Sequence, residues 1–487
     1  RRRKRNGKRR RDSMIYKFYG PPGTGKTHRL ISRAKAYMRT GTPSHKIGYF
    51  AFTKKAAAEA RKRMPVDDSK IPFFQTLHSF AYHQLGLSEE NIMQPYHYED
   101  LGKKLNIKVK YQDKYNKEEI NYLHCDNPHF QLIGRAMNRD IKIREQYDRN
   151  EHNSKEVKWG TLKYIDTNLK KYKEKTGLLD FNDMINKVIK KNDLPLFDVI
   201  FIDEAQDLSP LQWKLFDKLK QNTKDIYLAG DDDQAIFAWA GADVDRFINE
   251  PAKEKVLKYS KRISKAVQEQ SQIPIENIMG LRKTKNYLPR DFEGECQRIN
   301  NLDQIDLTKG KWLILTRTIR KLSKIKDELI KRNLYFESNK GKSFRVTLYK
   351  AALNYTEWQS GADVEEKDMK DIISFIGEEP QDKSIDWFDA FKKAKEDEKN
   401  YIRNMITNGE NLNDNARIWI STIHAIKGGE EDNVILCLDL SPKIKKSMRK
   451  NLDKADEEHR VWYVAVTRAR NNLYKLKGKL KKNEYKL

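Results

Sequence analysis

Cysteine is scarce. The 487-residue chain has three, Cys125, Cys296 and Cys437, far apart and without a CxxC pair. That argues against a disulfide framework and a finger-type zinc site, and free thiols fit a reducing compartment. His124-Cys125 with His129 comes nearest to a metal-ligand group, but no second pair at finger spacing follows it. Long apolar runs are also missing. No segment nears the roughly 18 residues a membrane helix needs, and no secretory leader is visible. No membrane partner is therefore expected. The location is read as cytoplasmic, nucleoid-associated in a bacterial or phage setting, with a nuclear one as the alternative. Proline (14) and glycine (23) are few. No Pro/Gly/Ser-rich linker and no internal repeat marks a boundary.

Acid is in deficit too. Against 97 Lys and Arg stand 70 Asp and Glu, leaving a net charge of +27. The first 13 residues, RRRKRNGKRRRDS, hold nine basic residues and one Asp, and the remaining +19 lies along the rest of the chain. A basic balance that outlasts removal of the tail points to a polyanionic partner, nucleic acid before others. Met14 stands just before the first strand, so residues 1–13 read as a basic tail, either an appended leader or a native arm.

The most informative segment is Gly20-Pro21-Pro22-Gly23-Thr24-Gly25-Lys26-Thr27. Ile15–Tyr19 before it reads as a strand. Lys26–Met38 after it reads as a helix, with apolar spacing at Leu30, Ile31, Ala34 and Met38. That is the setting a phosphate-binding loop requires. The glycines let backbone approach phosphate oxygens, and the helix N-terminus aims N–H groups at the anion. Lys26 is suited to the β- and γ-phosphates and Thr27 to Mg²⁺.

A second strand, Phe197–Asp203 (FDVIFID), runs into Glu204-Ala205-Gln206-Asp207. Carboxylates at the C-terminal end of such a strand lie where open α/β sheets bind ligands. Asp203 is suited to hold Mg²⁺, and Glu204 to orient and deprotonate an attacking water. Asp207 alone is equally explained as acid at a helix start. A third strand, Asp225–Ala229, leads to GDDDQ, where the Gln234 amide is placed to sense a γ-phosphate. Trp239 follows closely. Stacking on a base and burial in the core are equally good readings of its ring.

The ordered set GPPGTGKT, DEAQD and GDDDQAIFAWAGAD resembles the superfamily 1 DNA helicases of the UvrD/Rep type. Further segments resemble that family's motifs in order: 51–64 (AFTKKAAAEARKRM), 76–80 (TLHSF), 257–267 (LKYSKRISKAV), 312–318 (WLILTRT), 421–430 (STIHAIKGGE) and 457–470 (EEHRVWYVAVTRAR). The resemblance implies an α/β fold of two RecA-like parallel-sheet domains, each carrying an inserted subdomain, with ATP in the cleft between them. The first RecA-like domain is drawn as 14–87 and 186–250, around a mostly helical insertion at 88–185. The second is drawn as 251–345 and 415–487, around a small insertion at 346–414.

By the same resemblance Lys26, Glu204, Gln234, Arg262 and Arg468 carry the hydrolysis of Mg-ATP. Arg262 and Arg468 are expected from the second domain, and Glu430 at the ribose. Thr53, Thr76, His78, Trp239, Thr422 and His424 are expected to line the nucleic acid. Single-stranded DNA and single/double-strand junctions are the implied partners, with 3′→5′ movement and duplex separation. A monomer is expected, with self-association on DNA as an alternative. A translocase that strips proteins without unwinding, and a nucleotide-gated binding module, are the competing functions. Two features depart from the family. Lys261 stands where it has a Tyr, and no Gln lies between Met14 and the loop, so recognition of the base is expected to be loose.

Overall fold

The computed structural model describes residues 13–109, 127–149 and 156–487. His124, Cys125 and all but the last residue of the basic tail lie outside the described residues. The chain divides into two compact units, Arg1–Glu293 with Ser447–Thr467, and Gly294–Lys446 with Arg468–Leu487.

The first unit is built on a parallel sheet of six strands: β1 (Met14–Tyr19), β2 (Ile47–Phe50), β3 (Phe74–Gln75), β4 (Val199–Ile202), β5 (Asp225–Gly230) and β6 (Lys253–Val256). Their order is β3-β2-β4-β5-β1-β6, with Tyr19 opposite both Gly230 and Val256. Strand alternation divides the apolar residues between two faces. Ile15, Tyr19, Ile200, Ile202, Ile226 and Leu228 pack on one side. Phe18, Val199, Phe201, Tyr227 and Ala229 pack on the other. Burial on both faces explains why β4 reads as an unbroken apolar run.

The second unit holds a seven-stranded sheet: β7 (Glu295–Ile299), β8 (Trp312–Thr316), β9 (Phe336–Ser338), β10 (Gly341–Lys342), β11 (Ile418–Thr422), β12 (Glu431–Cys437) and β13 (Ala469–Leu476). The order is β10-β9-β11-β8-β12-β13-β7, all parallel except the β9–β10 hairpin. The fold is therefore mixed α/β with two parallel sheets.

The segment between β3 and β4 is helical among the described residues, with helices Pro95–Lys104, Pro128–Asn138, Ile143–Asp148, Trp159–Thr176 and Phe181–Lys190. The last of these packs Met184, Ile185 and Val188 into the core of the first sheet. Four helices between Val346 and Thr407 surround a core of their own.

The observed division differs from the sequence-drawn one. β6 pairs with β1, so the first unit runs on past residue 250, to 293. The helix Leu452–Val466 also belongs to it. The physical reason is that β6 is an edge strand, and its Lys253, Glu254 and Lys255 are exposed. It carries no apolar signal that would tie it to the first sheet.

Candidate nucleotide and nucleic-acid sites

The loop 20–27 joins β1 to the helix Lys26–Arg39, and its start is fixed to the sheet by the Gly20 N–H donating to the Gly230 carbonyl at 2.9 Å. Gly23 adopts φ +73°, which L side chains rarely take, and a Cβ there would lie 2.3 Å from Arg262 Cβ. A Cβ on Gly20 would fall 2.0 Å from Lys26 Cγ. Thr24 closes the turn, its hydroxyl donating to the Pro21 carbonyl at 2.8 Å. The Lys26 ammonium donates to the Gly20 carbonyl at 2.8 Å and lies 3.9 Å from Glu204 Oε1.

Thr27 Oγ1 donates to Asp203 Oδ2 at 2.6 Å, bringing the loop to the end of β4. Tyr49 adds its hydroxyl to the same oxygen at 3.0 Å. Burial, and then the neighbouring Glu204, push the Asp203 carboxyl up to about 6, against the pull of Thr27, Lys26 and Tyr49. A buried carboxylate beside a hydroxyl is a hard-oxygen donor set, which suits Mg²⁺. The glycine loop at a helix N-terminus suits a polyphosphate. The residues present therefore fit both groups.

Glu204 sits at φ +55°, a strained backbone for a residue with a Cβ. Its carboxylate accepts from Gln206 Nε2 at 2.6 Å. Gln206, fully buried, uses its Oε1 to accept the Asp231 N–H at 3.1 Å. Asp231 Oδ2 in turn accepts from Gln234 Nε2 at 2.7 Å. A hydrogen-bonded path thus links Glu204 to Gln234. Neither Gln206 nor Tyr49 is among the site residues expected from the sequence. Gln206 lies inside the DEAQD run, while Tyr49 left no local signal.

Arg262 belongs to the first unit, not the second. Its segment clasps the phosphate loop. The Ser260 hydroxyl donates to the Pro22 carbonyl at 2.7 Å, and the Lys261 N–H donates to the Gly23 carbonyl at 2.9 Å. Arg468 and Glu430 are in the second unit. There the buried Arg468 donates from Nη1 to the Gly429 carbonyl at 3.2 Å, and Glu430 lies 3.8 Å from Arg470 Nε.

The expected strand-side residues also fall in both units. Thr53 and Thr76 follow β2 and β3, and each caps the helix after it, accepting the N–H of Ala56 and Ser79 respectively, both at 3.1 Å. His78 packs edge-on to Phe181, and burial pushes its imidazole down to about 4. Asp203, Thr76, His78, Phe52 and Gln212 line one small cavity.

Trp239 is 40% exposed, which rules out full burial in the core. Its turn is held from the helical segment by Arg139 Nη2 and Asn138 Nδ2, which donate to the carbonyls of Ala238 and Ala240 at 3.3 Å each. Phe52 and Phe237 stack nearby with ring centres 5.6 Å apart, an aromatic pair the sequence did not point to. In the second unit Thr422 is the last residue of β11, and His424 lies two residues beyond it. Burial, then Arg317 and Lys427, push the His424 imidazole down to about 3. No helix among the described residues is long and apolar enough to cross a membrane.

Comparison with known proteins agrees with these features. Residues 15–255 match the family model of the UvrD/REP helicase N-terminal domain. ATP-dependent DNA helicase PcrA of Bacillus subtilis is 28% identical over 220 residues, covering 42% of this chain and 29% of that protein. ATP-dependent DNA helicase Rep of Buchnera aphidicola subsp. Acyrthosiphon pisum is 34% identical over 89 residues, 16% of this chain and 14% of that protein. A probable DNA helicase of Mycoplasma pneumoniae is 26% identical over 259 residues, 48% of this chain and 47% of that protein. The chain spans less than half the length of each of these relatives. The loop, the acidic strand end and the glutamine-bearing loop all lie inside the matched span, and the chain thus carries the N-terminal domain of a UvrD/REP-type helicase.

Proposed function

We propose that the protein hydrolyses ATP to move 3′→5′ along single-stranded DNA and to separate duplex at a single/double-strand junction. The carrying observation is the path from Glu204 through Gln206 and Asp231 to Gln234, set beside the Thr27–Asp203 pair. A binding module has no need of a water-activating acid linked to a phosphate sensor, which disfavours the nucleotide-gated reading.

In this account the loop N–H groups and Lys26 bind the phosphates. Thr27 and Asp203 would hold Mg²⁺, which would neutralise phosphate charge when bound. Glu204 orients the attacking water and takes its proton, and Gln234 reads the γ-phosphate. Arg262, beside the loop, and Arg468 supply cations whose planar forks suit phosphoryl oxygens. Glu430 is the proposed ribose contact.

On the strand side, helix N-termini at Thr53 and Thr76 favour backbone phosphates, and Trp239 offers a face for a base. Thr422 and His424 are the second unit's candidates, with His78 beside Thr76. The net charge of +27 supports a nucleic-acid partner. Steady-state ATP hydrolysis with and without a thymidine oligonucleotide tests the site. Lys26→Ala is expected to abolish strand-stimulated turnover, and retained turnover would contradict the assignment.

A further inference from the structure

The segment Met279–Lys285 follows the helix Lys265–Glu276 and has no part in the chemistry above. It nevertheless meets every carboxylate of the run Asp231-Asp232-Asp233. Lys285, its side chain 2% exposed, places Nζ 3.0 Å from Asp231 Oδ1, 2.5 Å from Asp232 Oδ1 and 2.8 Å from Asp233 Oδ2. Arg282 grips Asp233 with two bonds, Nε to Oδ1 at 3.0 Å and Nη2 to Oδ2 at 2.8 Å. The Lys283 N–H donates to Asp232 Oδ2 at 2.8 Å. Burial alone would push the Lys285 pKa down, but the three carboxylates outweigh it and hold the ammonium charged.

The same segment is anchored from behind. The N–H groups of Met279 and Gly280 donate to Asp456 at 3.0 and 2.7 Å, and Arg460 Nη2 donates to the Leu281 carbonyl at 3.1 Å. Both acceptor and donor lie on the helix Leu452–Val466, which ends two residues before Arg468.

Asp231 is the pivot. One carboxylate oxygen faces Lys285 and the other accepts from the Gln234 amide, while its N–H is tied to Gln206 and so to Glu204. Three carboxylates crowded around one nitrogen repel one another once that cation is removed. Stability alone does not call for such a cluster, because an apolar replacement of a buried ion pair is often as stable.

We propose that Lys285, supported by Arg282, is a positioning residue for nucleotide hydrolysis: it fixes the Asp231 carboxylate that orients the Gln234 amide. The proposal rests on Gln234 being the phosphate sensor.

The test uses the full chain with Mg-ATP and a thymidine oligonucleotide. Lys285→Met combined with Asp232→Asn removes one cation and one carboxylate and leaves the cluster's net charge unchanged. Expected is a kcat lower by about 100-fold, the scale of a small misplacement, with KM for ATP and the unfolding temperature held. On a Gln234→Ala background the same two changes are expected to cost nothing further. Parental kcat in the first variant, or the same fold-loss repeated on the Gln234→Ala background, overturns the proposal. Parental kcat in Gln234→Ala alone overturns the phosphate-sensor reading instead. Arg282→Gln, at a side chain 21% exposed, asks the same question should the paired variant aggregate. A smaller kcat loss, absent on the Gln234→Ala background, supports the proposal; parental kcat overturns it.

Discussion

Trp239→Ala separates the two readings of that indole. The ring is 40% exposed, and the turn beneath it is held by main-chain carbonyls bonded to Arg139 and Asn138. None of those bonds uses the indole, so the turn is expected to survive truncation. Stacking of a base on an aromatic ring contributes about 1–3 kcal/mol, which corresponds to about 5- to 150-fold in Kd. Truncating a fully buried aromatic costs about 3–5 kcal/mol of stability, and a half-exposed ring is expected to cost less. Fluorescence anisotropy of a labelled thymidine oligonucleotide gives Kd, and thermal unfolding gives stability. The slope of log Kd against log salt should stay unchanged, because no phosphate contact is removed. An unaltered Kd with a core-sized loss of stability would refute the stacking role and leave Trp239 as a packing residue.

Three further outcomes follow from the same geometry. Glu204→Gln should bind ATP normally while turnover falls by about 100-fold or more, the usual scale for losing a general base; fast single-turnover hydrolysis would place the base elsewhere. His78 is neutral in the fold, with its pKa pushed from 6.5 down to about 4 by burial. Its stabilising contribution is therefore complete above pH 6.5 and is lost as pH falls towards 4, by about 2 kcal/mol at most by pH 5. Urea unfolding at pH 7 and pH 5 should show that loss in the parent and a smaller one in His78→Asn, and equal losses would contradict it. Gly23→Ala should weaken ATP binding, because the added methyl meets Arg262 Cβ and the backbone resists it at φ +73°; unchanged binding by isothermal titration would count against the clasped loop.

Local signals were legible in the sequence. Loop chemistry between an apolar run and a 3.6-residue pattern placed β1 and the helix after it to within a residue. The acidic end of β4 was equally plain, because a strand buried on both faces reads as unbroken apolar sequence. Contacts between distant segments were not legible. β6 is polar at the sheet edge, so the sequence carries no sign that the first unit extends through it to Arg262. Lys285 reads as one more lysine in a lysine-rich chain, and only the fold brings it to Asp231. Thr53 and Thr76 are expected from the sequence to contact nucleic acid; what the structure shows of their hydroxyls is that each caps a helix.

The central claim is a strand-tracking motor of fixed direction. It is tested most directly by ATP-driven unwinding of two labelled duplexes, one with a 3′ single-stranded tail and one with a 5′ tail. Opening of the 3′-tailed duplex alone, abolished by Lys26→Ala, is the predicted result. Opening of the 5′-tailed duplex alone, or of neither despite DNA-stimulated hydrolysis, would contradict it.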